Sequence, residues 1–190
     1  MAGAFHTKQT FEGIDFSAKN CRGDEFEGCT FLHCRFAEAD LGEAEFSACV
    51  FRDCDLSNTK LVKTSFNGVR FEGCKMSGLQ FDQCNPFSFE LGFENCLLQY
   101  AGFFQRRLKG ISFKACNLTE ADFTEADCSG ADFREAICTG TKFEHTNLEK
   151  ADFRQALGFG IDPAKNRIRK ARFSRDALEG LLHNFELHIE

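Results

Sequence analysis

Every fifth residue is apolar over most of this chain. From Phe11 the column reads Phe11, Phe16, Cys21, Phe26, Phe31, Phe36, Leu41, Phe46, Phe51, Leu56, Leu61, Phe66, Phe71, Met76, Phe81. A second run reads Phe93, Leu98, Phe103, Leu108, Phe113, Leu118, Phe123, Cys128, Phe133, Cys138, Phe143, Leu148, Phe153. The residue two places earlier is small or apolar through most of the chain: Cys or Ala, with Thr and one Val, from Cys29 to Cys74 and again from Cys116 to Ala151. The other three positions are mostly polar, as in Glu120, Asp122, Thr124, Glu125 and Asp127. Neither a helical period of 3.6 nor a strand period of 2 produces this pattern. A solenoid that turns a corner every five residues does, with one large and one small side chain of each repeat facing the axis.

The five-residue frame resembles the pentapeptide-repeat family, whose repeat reads small–Asp/Asn–Leu/Phe–Ser/Thr/Arg–Gly. Its clearest copies here are Ala121-Asp122-Phe123-Thr124-Glu125, Ala131-Asp132-Phe133-Arg134-Glu135 and Ala151-Asp152-Phe153-Arg154-Gln155. The resemblance implies an all-β solenoid: a right-handed quadrilateral β-helix of about seven 20-residue coils. The chain then divides into a lead-in (1–10), the repeat body (11–155) and a terminal segment (156–190). Cys34, Cys54, Cys74, Cys96 and Cys116 test the coil length. Their spacings of 20, 20, 22 and 20 predict a ladder on one face, with a two-residue slip between Phe81 and Phe93, in the stretch 82–92 that holds Asn85-Pro86.

Composition changes the picture in three places. Phenylalanine supplies 24 of the aromatics against one Tyr and no Trp, and 17 of the 24 stand in the two apolar columns. One ring used so often implies one repeated environment. The 11 cysteines include no CxxC pair, and they are expected to be buried structural thiols rather than metal ligands or disulfides. Charge is uneven. Residues 1–164 carry 17 Lys+Arg against 25 Asp+Glu, a net of −8, whereas residues 165–190 carry 6 against 4, a net of +2. An acidic body argues against direct nucleic-acid binding. No apolar run approaches a membrane span, and Met1–Thr10 does not read as a signal peptide, so a cytoplasmic, membrane-free protein is expected.

Two segments leave the frame. Between 82 and 112, Phe87, Phe89, Tyr100 and Phe104 fall outside the inward column, and Arg106 falls in the small inward column beside Arg107. A buried charge there is unfavourable, so either the chain loops out and expels Arg106, or the stretch is a partner-binding protrusion. After Phe153, Gly158 replaces the inward residue, Asp162-Pro163 turns the chain, and Ile168 and Phe173 return to the frame. Ser174 then reads as the N-cap of a capping α-helix, with Leu178, Leu181, Leu182 and Phe185 as its apolar stripe and a short strand carrying Leu187 and Ile189 after it. This segment can cap the last coil, serve as a homodimer interface, or do both.

Function is read from what is missing and from the resemblance. The five histidines are scattered, and there is no phosphate loop, HExxH or GxSxG, so no enzyme and no cofactor is expected. The small size, the mid-chain break and the ending Asn166-Arg167-Ile168-Arg169-Lys170-Ala171-Arg172-Phe173-Ser174 resemble small bacterial topoisomerase-protecting members of the family, the Qnr-type quinolone-resistance proteins among them. That resemblance implies a dimeric rod that mimics duplex DNA and binds DNA gyrase. Seven coils at ~4.8 Å give about 34 Å per subunit and roughly 70 Å for two joined end to end. The outer acids are nearly evenly spread over the faces and partly matched by Arg and Lys. A scaffold protein with a different protein partner stands beside this reading.

Overall fold

A computed structural model describes residues 3–182 and Phe185. The chain is a β-solenoid of about eight turns with one short helix near its end. Successive coils pair in parallel at a 20-residue offset. Glu25–Glu27 lies between Phe5–Thr7 and Glu45–Ser47, and Thr30–Leu32 lies between Thr10–Glu12 and Val50–Arg52. Single bridges such as Arg35–Asp55–Lys75 and Asp122–Lys142 continue the same register on the other two faces. Pairing begins at Phe5, earlier than position 11 where the apolar column starts. His6 explains the difference: its ring takes the inward place and stacks on Phe26, with centroids 4.7 Å apart and planes 13° apart. An aromatic that is not hydrophobic by type hid the first coil.

Each of the three consensus features has a physical cause. The large column stacks rings along the axis. Phe11, Phe31, Phe51, Phe71, Phe93, Phe113, Phe133, Phe153 and Phe173 form one column with near-parallel rings, spaced between 4.4 and 5.5 Å. Rings of adjacent faces meet edge-on, as Phe103 and Phe113 do at 79°. Offset-parallel and edge-to-face contacts are the two favourable ring arrangements. The Asp/Asn position closes the corner: Asp122 Oδ1 accepts the Thr124 N–H at 2.8 Å, and Asp132, Asp152 and Asn117 do the same two residues on. The Gly position takes positive φ, yet 19 residues other than glycine hold it here, Glu120 at 59° among them.

The small column explains most of the cysteines; Cys21, Cys128 and Cys138 stand in the large one. The Thr59, Thr64, Thr141 and Thr146 hydroxyls each donate to the inward residue's carbonyl 23 positions back, at 2.8 Å. Cysteine occupies the same niche: Cys34 Sγ donates to Phe11 O, Cys54 to Phe31 O and Cys74 to Phe51 O, at 3.4 to 3.5 Å. Cys96 makes the same bond to Phe71 O, 25 residues back because of the slip. The niche therefore takes a small side chain, alanine included, and offers a carbonyl to any hydroxyl or thiol placed there. All eleven cysteines are free and buried, and the predicted ladder stands on one face, bridged through Arg35, Asp55, Lys75, Leu97 and Asn117. Burial pushes the Cys138 thiol up to about 12 and the Cys49 thiol up to about 11. Thiols held protonated are poor nucleophiles. Cys54, Cys74 and Cys116 are sealed in the core, so alkylation of the native protein should spare them until denaturant is added, as mass spectrometry of the modified peptides would show. Equal rates in both conditions would contradict the packing described here.

The end of the solenoid departs from the sequence expectation. Phe159, one residue after Gly158, turns inward and packs at 5.7 Å from Phe153 and 5.4 Å from Phe173. Asn166 occupies the small column buried, with Nδ2 donating to Phe143 O and Oδ1 accepting the Thr146 N–H. The helix lies where it was expected, but over Arg175–Leu181 it is a 3-10 helix, not an α-helix. Ser174 sits at its N-cap position without capping it; the hydroxyl accepts the Gln155 N–H instead. The Leu178-Leu181-Leu182-Phe185 stripe does not form one buried face, and Leu182 and Phe185 lie beyond the end of this helix. Ala177 and Leu181 pack on the core, while Leu178, Leu182 and Phe185 remain exposed. Leu187 and Ile189 lie outside the described residues.

Candidate partner-binding surface

The coil break builds an irregular feature of the surface. The offset between coils is 23 residues at Phe66–Phe89, settles to 22 at Val69–Leu91, and returns to 20 at Phe93–Phe113. The extra residues bulge out around Asn85-Pro86-Phe87, where Asn85 Oδ1 accepts the Phe87 N–H at 3.0 Å and fixes the turn. The bulge leaves a groove of about 600 Å³, lined by Asn67, Pro86, Phe87, Ser88, Phe89, Glu90, Gln105, Arg106 and Arg107.

Four of the six residues predicted for a partner site meet here: Phe87, Phe89, Arg106 and Arg107. Phe87 is 96% exposed, whereas Phe89 is half-buried and packed on the core. Tyr100 and Phe104, both exposed, stand on other parts of the coil and do not line the groove. Asn67, Gln105 and Glu90 were not foreseen. Asn67 arrives only because the slip sets the bulge over the coil before it.

Arg106 corrects the expectation of an expelled side chain. It is only 7% exposed and points inward in the small column. Its Nη2 donates to the carbonyls of Asp82 and Cys84, which the slip leaves without a backbone donor, and its guanidinium lies over the Phe89 ring at 5.0 Å. Unpaired buried carbonyls are costly, and a long flexible donor reaching down from the next coil satisfies both. Burial holds the guanidinium below its ordinary pKa.

The acidic exterior is partly neutralised where it is most regular. Asp132 binds Arg134 at 2.6 Å, and Asp152 binds Arg154 at 2.6 Å and Arg172 at 3.9 Å. Hydrogen bonds from Arg134 and Arg154 hold the Asp132 and Asp152 carboxyls below the usual carboxylate range. A depressed folded-state pKa contributes stability that is present above the unfolded value and lost as pH falls through the folded one, here below about pH 4. The double variant Asp132→Asn/Asp152→Asn keeps an oxygen for the corner bond and removes the titration. Its thermal midpoint should fall less steeply with acid than the parent's, and parallel curves would refute the assignment.

The five-residue frame, the inward columns and the 20-residue coil are accompanied by direct sequence matches. Residues 24–103 match the pentapeptide repeat region, and residues 107–137 and 136–158 match pentapeptide repeats in eight-copy form. The chain belongs to the pentapeptide-repeat family. No curated protein matches its sequence. Among solved structures, a trypsin-treated form of QnrB1, a plasmid-mediated fluoroquinolone resistance protein, is 19% identical with a TM-score of 0.64, covering 98% of this chain and 100% of that one. A second trypsin-treated form is 21% identical with a TM-score of 0.61, covering 100% and 92%. HetL, a pentapeptide-repeat protein involved in heterocyst differentiation regulation in the cyanobacterium Nostoc, is 15% identical with a TM-score of 0.65, covering 90% and 86%. At these identities the likeness is one of fold.

Proposed function

We propose that this family member is a non-catalytic, cytoplasmic rod that binds DNA gyrase or a related type II topoisomerase in place of duplex DNA and shields it from a poison. The observation that carries this reading is the end-to-end likeness to QnrB1, a resistance protein, in a chain whose repeat body is acidic. About eight coils at ~4.8 Å make a rod of roughly 38 Å. Eleven unpaired thiols suit a reducing compartment. In a supercoiling assay with purified gyrase and a quinolone, the protein should restore supercoiling as its concentration rises. No rescue together with no binding to gyrase would overturn the proposal.

The rod doubles if two subunits meet through the exposed Leu178, Leu182 and Phe185. A closed two-fold contact would cover this apolar surface and stop further growth. Light scattering should then give a dimer for the parent and a monomer for Leu178→Glu/Leu182→Glu, both exposed positions. A monomeric parent at micromolar concentration would end this part of the proposal. The second reading is an interaction protein with another partner, favoured by the equally strong likeness to HetL. Folded, dimeric protein that leaves gyrase untouched is its expected signature.

A further inference from the structure

Arg106 carries a buried charge that has no ion-pair partner among the described residues, although the Asp82 carboxylate acts on it from farther off. Its two backbone acceptors are neutral carbonyls, and both are served by Nη2 alone. Among the described residues no other hydrogen bond involves the guanidinium, so Nε and Nη1 offer three further N–H donors. Among the described residues no carboxylate lies within 4.0 Å of Arg106 or of its exposed neighbour Arg107. Asp82 and Glu90 on the bulge are exposed and form no ion pair with either arginine, and Glu90 lines the groove. Buried charges in folded proteins are ordinarily paired, because an uncompensated ion forfeits its hydration for nothing. Among the described residues no fully buried side-chain nitrogen lacks a partner, so the free donors of Arg106 keep contact with solvent, and Arg106 lines the groove, where an anion would replace water as their partner. The groove also has an apolar component. Phe87 is held at its rim by the Asn85 turn with its ring in solvent, and Phe89 lies beneath the guanidinium. The volume of about 600 Å³ lies within the range of small-ligand sites.

We propose that this groove is a binding site for a small aromatic carboxylate, whose carboxylate meets Arg106 and Arg107 and whose ring packs against Phe87. The site is independent of the topoisomerase reading and stands or falls by itself. Planar bidentate geometry suits a carboxylate on a guanidinium fork, and a flat ligand body suits the exposed phenyl face.

The test is binding of naphthoate, followed by ligand-observed NMR on the full chain, with naphthamide as the neutral isostere and acetate as the ringless anion. Naphthoate should bind at least about tenfold more tightly than either control, a difference of about 1.4 kcal/mol. Arg107→Gln should weaken it several-fold, and Phe87→Ala should weaken naphthoate while leaving acetate unchanged. Arg106→Ala, which restores the family's small residue, should abolish binding with the circular-dichroism spectrum retained. Equal binding of naphthoate and naphthamide, no saturable naphthoate binding, or parent-like affinity in Arg106→Ala would each overturn the proposal. If Arg106→Ala does not fold, the surface variants Arg107→Gln and Phe87→Ala decide: parent-like affinity in both overturns it.

Discussion

Phe113→Ala should lower the stability of this protein by about 3–5 kcal/mol, the largest effect expected of any single truncation. Phe113 has no exposed surface. It stacks between Phe93 at 5.3 Å and Phe133 at 5.2 Å, and meets Phe103 and Phe123 edge-on at 5.4 and 5.3 Å. Removing the ring leaves a hole in the middle of a nine-ring column and forfeits four favourable aromatic contacts. A solenoid cannot collapse easily onto such a hole, because the backbone ladder fixes the distance between coils. The thermal midpoint should drop by roughly 10 °C for a chain of this size. Phe113→Leu should cost far less, since leucine already serves at Leu98, Leu108 and Leu118 in the equivalent inward position. Phe104→Ala, on the exterior, should change stability by no more than about 0.5 kcal/mol. If Phe113→Ala melted with Phe104→Ala, the axial stack would not be what holds the coils together.

Gly180→Leu should release the terminal helix from the solenoid, at a cost of about 1–3 kcal/mol. A Cβ at position 180 would stand 2.4 Å from the Phe159 carbonyl oxygen and 2.5 Å from its ring. The Gly180 carbonyl also accepts the Ile161 N–H at 2.9 Å, so any lift of the helix breaks that bond. Hydrogen exchange at Ile161 and around Phe173 should accelerate ahead of the central coils, because an uncovered solenoid end frays first. The same variant should expose apolar surface at Phe159 and Phe173. Unchanged exchange at Ile161 would mean that the helix is not a cap.

These two sites differ in how well the sequence reveals them. Phe113 is legible from the five-residue column alone. The function of Gly180 is not, because a glycine inside an apparent Leu stripe reads as a weak spot in an α-helix rather than as a contact surface. The candidate groove was half legible. Two aromatics out of frame and an arginine in the small column marked the place. Whether Arg106 turned in or out depended on which carbonyls the slip left bare, and a count of two extra residues does not say which. Tyr100 and Phe104 were equally out of frame and are simply exterior side chains of regular coils.

The solenoid, its 20-residue turn, the two inward columns and the cysteine ladder are all written in the chain. Each coil repeats the same local problem, and a periodic answer leaves a periodic trace. Long-range packing is what makes His6 open the first coil, the helix 3-10, Arg106 buried across two neutral carbonyls, and Leu178, Leu182 and Phe185 uncovered. These features occur once each, at an end or at the break. There the packing is set by which group of a distant coil happens to lie opposite, and no period in the chain records that.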